Sequence, residues 1–292
     1  MKIAVLSDIH GNLPALQAVA DDIDAWQPDQ VIVNGDIVNR GPCSRAVLRY
    51  VKKRRQADGW HLLRGNHESF LLNLDDPGFE MEGTELEINR FAYWAYEQLD
   101  GELALLQQLP ERYEYYAPDG SEFRVIHASM ISDRDGLYEE LSDEAITRRM
   151  APVPAVFVTS HTHQAFMREV AGSLVVNVGS TGAPFDFDWR PSYGRFSWDE
   201  ESGWEAEIRR VPYDRDQIEA DYVHSGFLDG GGPLAQLMLV ELRRARGLIF
   251  RWANSYQQAV LDGEIGLEES VKKILAQEDV RLFVGPPGWD VS

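Results

Sequence analysis

The chain has 292 residues, a length that fits one large domain or two small ones, and 44% of its residues are hydrophobic. Its formal net charge of −20 argues against binding to DNA or RNA, because that affinity rests largely on Lys and Arg contacts to phosphates. With one cysteine, Cys43, and no apolar run near the roughly 20 residues that span a bilayer, the sequence excludes an internal disulfide and a transmembrane helix. We therefore expect a cytoplasmic protein that binds neither a membrane nor a nucleic acid polymer.

Strands and helices are predicted to alternate at the start of the chain. The predicted segments are strand 2–7, helix 12–26, strand 31–34, helix 43–54 and strand 60–63. Asp8 follows the first segment where a signal peptide would still be apolar, so we interpret residues 2–7 as a strand and not as a targeting segment. This βαβαβ order predicts a parallel sheet with helices on its faces.

The middle of the chain predicts one helix and then a second sheet. Residues 84–109 fit a continuous helix with Thr84 as N-cap and Pro110 as stop, within an insert of about residues 79–110 that could serve as a lid. Seven short segments beyond it predict strands, at 112–117, 123–127, 155–159, 166–170, 173–178, 193–198 and 204–211.

The C-terminal part is predicted to be helical. A helix at 214–224, a flexible break at 226–233, a helical stretch at 234–279 and an irregular tail at 284–292 follow one another. We expect residues 1–212 to form the main domain and residues 213–292 a helical extension packed on it. A homodimer through these helices is the alternative.

Polar clusters follow five of the predicted strands. In chain order they are Asp8-Ile9-His10, Gly35-Asp36, Gly65-Asn66-His67-Glu68, His127 and His161-Thr162-His163. Ligands in open α/β sheets bind at the carboxyl ends of strands, so we expect these side chains to gather at one edge.

The residue types in these clusters suit divalent metal ions. Carboxylate, amide oxygen and imidazole fit Mn, Fe, Zn or Ni, and no thiolate is present to make a soft site. The spacing of Asp8 from His10, and of His161 from His163, places each pair on one face of an extended chain. A lone His127 is more often a core histidine, but five of the seven histidines fall in these clusters. Seven candidate ligands exceed the four that one ion usually takes, so two divalent ions are predicted.

Taken in this order, the motifs resemble the calcineurin-like metallophosphoesterases over about residues 1–200. The stretches GDIVNRGP at 35–42 and LLRGNHE at 62–68 are similar to the branch that holds the phosphoprotein phosphatases and the symmetrical diadenosine tetraphosphatases. The resemblance implies an α/β fold, a four-layer α/β/β/α sandwich of two mixed sheets, with the helical extension at its C-terminus. It also implies one metal held by Asp8, His10 and His163, a second held by Asn66, His127 and His161, and a bridging Asp36.

The same resemblance implies roles for residues beside the metals. His67 would act as acid catalyst or transition-state stabiliser, and Arg40 would clamp the phosphate. Apart from the resemblance, we expect Arg64 either to hold the phosphate or to form a structural salt bridge, the second being slightly favoured, and Glu68 to anchor its loop. The chain departs from the phosphoprotein phosphatases at Asn39, where they have Asp. Asn39 can orient His67 through a hydrogen bond but supplies no charge.

The predicted function is a metal-dependent phosphoesterase that cleaves a phosphate mono- or diester with a metal-bridging hydroxide. Its substrate would be a small phosphorylated molecule, a nucleotide or a phosphoprotein. A dinucleoside polyphosphate hydrolase and a non-catalytic, metal-bound interaction scaffold are the alternatives. Phe185, Phe187 and Trp189 could line a pocket for a base or leaving group, although ordinary packing is the more frequent role of such residues.

Overall fold

The computed structural model describes residues 1–76, 78–79, 81–99 and 102–285, which contain ten strands in two five-stranded mixed sheets. Strands β1 to β10 are Lys2–Leu6, Gln30–Val33, His61–Leu62, Arg112–Tyr116, Glu122–Ile126, Val156–Thr159, Phe166–Val170, Ser173–Asn177, Ser192–Asp199 and Gly203–Arg210. Helices α1 to α9 are Leu13–Trp26, Ser44–Asp58, Asn66–Leu74, Gly83–Ile88, Arg90–Gln98, Leu103–Gln107, Asp143–Met150, Arg215–His224 and Phe227–Gly230. Helices α10 to α14 are Leu234–Arg244, Ile249–Trp252, Gln258–Leu261, Leu267–Leu275 and Glu278–Arg281, with a π-helical turn at Ala253–Gln257.

The first sheet has the order β10-β9-β1-β2-β3, in which β1, β2 and β3 run parallel, as the βαβαβ pattern predicts. Strands β9 and β10 belong to this sheet, which corrects their placement in the second sheet. Strand β9 pairs antiparallel to β1, with Lys2 opposite Ser197 and Val5 opposite Gly194. The error arose because a strand far along the chain can complete an early sheet, and local periodicity carries no information about that partner.

The second sheet has the order β4-β5-β6-β8-β7. Strands β5, β6 and β8 are parallel, and the antiparallel neighbours β4 and β7 join them through the hairpins β4–β5 and β7–β8. The parallel strands of both sheets therefore deliver their carboxyl ends to loops, where polar side chains can meet.

Alternating side chains divide the core into layers. Ile3 and Val5 of β1 point to the second sheet, where they pack with residues such as Phe123 and Val158, while Ala4 and Leu6 face the helices on the opposite side. A third cluster covers the outer face of the second sheet with α7. The expected four-layer α/β/β/α sandwich is confirmed.

The predicted single helix at 84–109 is wrong in one respect, since the described residues of this segment form α4, α5 and α6. Helix α4 ends at Ile88, and the side-chain amide of the following residue, Asn89, donates to the carbonyl of Glu85. Such local hydrogen bonding by Asn competes with a continuing helix. The buried residues Ile88, Phe91 and Ala95 join the same core cluster as the C-terminal helices, so the insert packs against that part of the chain.

The C-terminal part shares the core of the main sandwich. Buried residues from Leu234 to Val280 lie in one cluster with Leu16 and Val47 of α1 and α2. The predicted flexible break contains α9, held by the fully buried Phe227. The predicted helix at 234–279 is interrupted at Ala245, where the backbone turns left-handed. Of the predicted tail, residues 286–292 lie outside the described residues. In the part of the chain that the structure describes, no helix is long and apolar enough to cross a membrane.

Candidate metal centre

Three of the predicted ligands gather at the ends of β1 and β6. Nε2 of His163 lies 3.1 Å from Oδ1 of Asp8 and 3.2 Å from Nε2 of His10. The same nitrogen of His10 lies 3.7 Å from Oδ2 of Asp36. Asp8, His10 and His163 could therefore direct lone pairs at one point, with Asp36 at its border.

A second group lies on the other side of Asp36. Its Oδ2 atom is 3.3 Å from Nε2 of His127, and Oδ1 of Asn66 lies 3.0 Å from that nitrogen. Oδ1 of Asn66 is also 2.9 Å from Nδ1 of His161. All seven predicted ligands thus come together, in two groups that meet at the Asp36 carboxylate.

The backbone around the centre is unusual. Eleven non-glycine residues in the described part of the chain have a positive φ, and seven of these are predicted site residues: Asp8, His10, Asp36, Asn39, Arg40, His161 and His163. A left-handed conformation costs energy in an L-residue and persists only where the surroundings enforce it. Because such strain clusters at active sites and ligand-binding loops, its concentration here supports the prediction of a site in these loops.

Two glycines allow the loop after β2 to touch the loop after β3. A Cβ atom on Gly65 would lie 2.3 Å from Oδ1 of Asp36, and one on Gly35 would lie 2.5 Å from the nitrogen of Gly65. Only glycine fits this approach. Glu68 also holds these two loops together. It is fully buried and accepts hydrogen bonds from the backbone N–H groups of Asp36, Ile37, Val38 and Gly65. Burial and the nearby Asp36 carboxylate raise the pKa of Glu68 to about 7.

Backbone carbonyls fix the orientation of two imidazoles. Nδ1–H of His127 donates to the carbonyl of Asn34 at 2.9 Å, and Nδ1–H of His163 donates to the carbonyl of Ala183. Each ring therefore directs Nε2 at the centre, an arrangement typical of metal-bound histidines.

The electrostatics of the centre fit bound cations. Burial opposes ionisation of Asp8 and Asp36, yet the neighbouring imidazoles keep the pKa of each carboxyl below its ordinary value. Burial lowers the pKa of His161 to about 4, so this ring is neutral and can act as a ligand. Burial also disfavours protonation of His127, but the Asp36 and Asp8 carboxylates outweigh it and raise the pKa to about 10. The potential that holds this proton would equally attract a metal ion.

Two buried polar atoms without hydrogen-bond partners also support a bound cation at this centre. Among the described residues, Oδ1 of Asp8 and Nδ1 of His10 are buried and have no hydrogen-bond partner. The Asp8 oxygen lies near His163, but not in a geometry suited to a hydrogen bond. Buried carboxylates are normally paired, hydrogen-bonded or bound to metal, so these residues fit a divalent ion.

His67 lies beside the centre and contacts Asn39. Oδ1 of Asn39 accepts from the N–H of Arg40 at 2.7 Å, so the amide NH₂ of Asn39 faces Nδ1 of His67 at 2.9 Å. Because the amide donates, Nδ1 must accept, and the proton of the imidazole is on Nε2. Burial lowers the pKa of His67 to about 3, and Arg40 adds to this effect, so the ring is neutral at pH 7.

The two predicted phosphate-binding arginines differ. Arg40 lines the cleft above the centre, and its Nη2 donates to Oε2 of Glu241 at 2.6 Å. Arg64 pairs with Glu111, which favours the salt-bridge alternative for Arg64.

The cleft has a wall that sequence reasoning missed. The cleft has a volume of about 1050 Å³. The loop containing Phe185 and Phe187 lines it together with a C-terminal stretch, which is the wall in question. The lining residues from that stretch are Glu241, Arg246, Gly247, Phe250, Arg251, Asn254 and Ser255. The three arginines at 243, 244 and 246, a basic cluster in a chain of net charge −20, were the available signal. Trp189 packs instead against Tyr213 and Arg215.

Residues 1–199 match the family model described as calcineurin-like phosphoesterase. The chain belongs to this family. The resemblance inferred from the motifs is thereby confirmed, and membership of the calcineurin-like phosphoesterases supports a hydrolase that depends on metal.

Two solved structures share the fold. A hypothetical protein of Pyrococcus horikoshii has 20% sequence identity and a TM-score of 0.67, with 80% of this chain and 97% of that chain covered. A metallophosphoesterase of Sphaerobacter thermophilus has 22% identity and a TM-score of 0.62, with 84% and 99% covered. At these identities the likeness establishes the fold alone.

Two related sequences match this chain over stretches of different length. An uncharacterized protein of Methanocaldococcus jannaschii is 26% identical over 228 residues, 73% of this chain and 88% of its own length. A symmetrical bis(5′-nucleosyl)-tetraphosphatase of Paracidovorax citrulli is 42% identical over 74 residues, 25% of this chain and 25% of that protein. This chain therefore matches a quarter of the length of the tetraphosphatase.

Proposed function

We propose that this calcineurin-like phosphoesterase hydrolyses a phosphate mono- or diester at a centre of two divalent ions, drawn from Mn, Fe, Zn and Ni. The convergence of seven nitrogen and oxygen donors on two points that share Asp36 carries the proposal. We assign Asp8, His10 and His163 to one ion. Asn66, His127 and His161 are assigned to the other, and Asp36 to both.

The bound ions would supply a hydroxide at neutral pH, by lowering the pKa of water to about 7, and would neutralise phosphate oxygens. The chain's own groups orient the substrate. The Arg40 guanidinium binds a phosphate oxygen from the cleft side, with Glu241 fixing its direction. Asn39 keeps the proton of His67 on Nε2, so the ring can donate a hydrogen bond to the leaving oxygen as a neutral group.

Metal removal tests this function. The purified protein is stripped with a chelator, and turnover of p-nitrophenyl phosphate and bis-p-nitrophenyl phosphate is measured with and without Mn(II). We expect restored turnover on at least one compound and two ions per chain by metal analysis. Asp36→Asn should lose both properties, while Asp24→Asn, which changes a surface ion pair with Arg54, should keep both. Absence of metal-restored hydrolysis across a panel of phosphoesters would refute the enzyme.

The substrate classes that we propose are a small phosphorylated molecule, a nucleotide and a phosphoprotein. The local similarity to a tetraphosphatase supports a dinucleoside polyphosphate hydrolase as the second candidate. Turnover of diadenosine tetraphosphate, compared with a mononucleotide at equal concentration, separates these classes. Metal binding without any turnover would instead support the interaction scaffold. Cytoplasmic location and a homodimer stay predictions, and light scattering after size-exclusion chromatography tests the second.

A further inference from the structure

The cleft beside the metal centre is larger than a phosphate group requires. Its volume of about 1050 Å³ lies just above the range of roughly 300 to 1000 Å³ that small-molecule sites occupy. The predicted metal-ligand side chains His161 and His163 line it, and so do six residues between positions 246 and 255. The space between them can hold a substantial leaving group.

Two aromatic side chains are held open to this space. Phe250 is 75% exposed and Phe187 is 71% exposed, and these are the highest values for large hydrophobic side chains in the described part of the chain. Both line the cleft, although they come from distant segments. Exposed apolar side chains that cluster at a cleft, instead of scattering over a surface, mark a binding site.

The backbone at Phe187 is held by a hydrogen bond to the C-terminal stretch. Its φ is 68°, which is rare for a bulky residue, and its backbone N–H donates to the carbonyl of Ala245 at 3.0 Å. The guanidinium of Arg246 lies 4.5 Å from the centre of the Phe187 ring. The loop and the C-terminal stretch therefore build this feature together.

Arg246 keeps its charge available. Within residues 1–76, 78–79, 81–99 and 102–285, no carboxylate forms an ion pair with Arg246, whereas the cleft arginines Arg40 and Arg251 pair with Glu241 and Asp279. A guanidinium over an aromatic ring, with no acidic partner, can bind an anion and stack on a flat group.

We propose that Phe187, Phe250 and Arg246 form a subsite for a nucleoside phosphate leaving group, with the base on the aromatic rings and a second phosphate on Arg246. The inference rests on the proposed phosphoesterase function, which places the scissile phosphate at the metal centre. The reaction is hydrolysis. The oxygen of water bonds to phosphorus, the bond from phosphorus to the leaving oxygen breaks, and a proton passes to that oxygen.

Binding measurements separate the parts of this subsite. Isothermal titration of the Mn(II)-loaded protein with ribose 5-phosphate, AMP and ADP reports in turn the phosphate, the base and the second phosphate. We expect AMP to bind about tenfold more tightly than ribose 5-phosphate, since stacking of one base on an aromatic residue contributes about that factor. Phe250→Ala, at a site too exposed to affect folding, and Phe187→Ala should remove this gain, and Arg246→Ala should remove the gain of ADP over AMP. Tyr116→Ala, which changes an aromatic residue of β4 that is 59% exposed, should change none of these ratios.

The outcomes distinguish a failure of the subsite from a failure of the proposed phosphoesterase function. Equal affinities for AMP and ribose 5-phosphate, in a protein that hydrolyses bis-p-nitrophenyl phosphate, would overturn the subsite and leave the phosphoesterase intact. Tighter binding of AMP without hydrolysis of any ester would overturn the phosphoesterase. A phosphotyrosine peptide that binds more tightly than ADP would overturn the assignment of a nucleotide.

Discussion

Glu241 links the C-terminal helices to the predicted phosphate-binding residue, and Glu241→Gln tests what this contact does. The residue is 3% exposed. Its Oε1 accepts from the backbone N–H groups of Leu248 and Ile249, and its Oε2 accepts from Arg40. In the Gln variant Oε1 can keep both backbone bonds, while the NH₂ group cannot accept from Arg40. The change therefore removes the Arg40 contact with little effect on the fold of α10.

The size of the effect follows from the burial of both groups. A hydrogen bond between charged groups contributes about 1.5–3 kcal/mol, and the Arg40 side chain is only 16% exposed, so water replaces its partner poorly. We expect Arg40 to lose its fixed direction, at a cost of about 2 kcal/mol in transition-state binding. At about 1.36 kcal/mol per factor of ten, kcat/KM falls about 30-fold.

The assay is kcat/KM for bis-p-nitrophenyl phosphate with saturating Mn(II), accompanied by thermal denaturation. Glu219→Gln is the matched control, because it breaks a buried ion pair with Arg243 elsewhere in the C-terminal helices. In an Arg40→Ala background, Glu241→Gln should have little further effect on kcat/KM. If Glu241→Gln keeps or raises kcat/KM while Arg40→Ala lowers it, Glu241 competes with substrate for Arg40 and the reasoning is wrong.

Three further predictions concern the loops and the pH dependence. Glu68→Gln deprives buried N–H groups of their acceptor, so the free energy of unfolding should fall by about 3 kcal/mol in denaturant titrations and metal affinity should fall with it. With its pKa near 3, His67 should add no limb to the kcat/KM profile between pH 5 and 9. Asn39→Asp places a carboxylate beside the ring and raises that pKa, so activity should decline as pH rises in this range; superimposable profiles would contradict the role of Asn39. Burial disfavours ionised Asp22, but hydrogen bonding, first from Tyr193, lowers its pKa below the usual 3.8. Its contribution is present above that pH and is lost as pH falls through the lowered pKa, so Asp22→Asn should cost about 1 kcal/mol at pH 7 and progressively less below pH 3.8; a constant difference in unfolding free energy down to pH 3 would contradict this.

The gathering of the candidate metal ligands was predictable because each follows a strand within a few residues. Asp8, Asp36 and His127 take their positions from the local strand ends, and the sheet brings those ends together. What local patterns could not predict was pairing between distant segments. Strand β9 has the sequence pattern of an ordinary strand, and its place beside β1 depends on contacts across 189 to 195 residues. Asn89 was an available signal for the end of α4, but its weak preference was outweighed by the apolar periodicity around it.

The C-terminal stretch shows a harder limit of sequence reasoning. Glu241 and Arg246 lie on or beside an amphipathic helix, whose pattern predicts burial and nothing about which loop it reaches. Their contacts to Arg40 and Phe187 cross 201 and 59 residues, as a consequence of how α10 packs on the sandwich.

The cleft wall and the candidate metal ligands come from different parts of the chain, so substrate preference and metal dependence can vary separately. All seven candidate metal ligands fall within residues 1–199, which the family model matches, whereas the wall beyond the centre comes largely from residues 241–255. Buried side chains of the C-terminal helices share one core with α1 and α2, so that wall is anchored to the same core as the main sandwich. A relative could therefore keep the metal chemistry while changing residues 241–255, and we expect substrate preference to vary with that stretch while metal dependence does not.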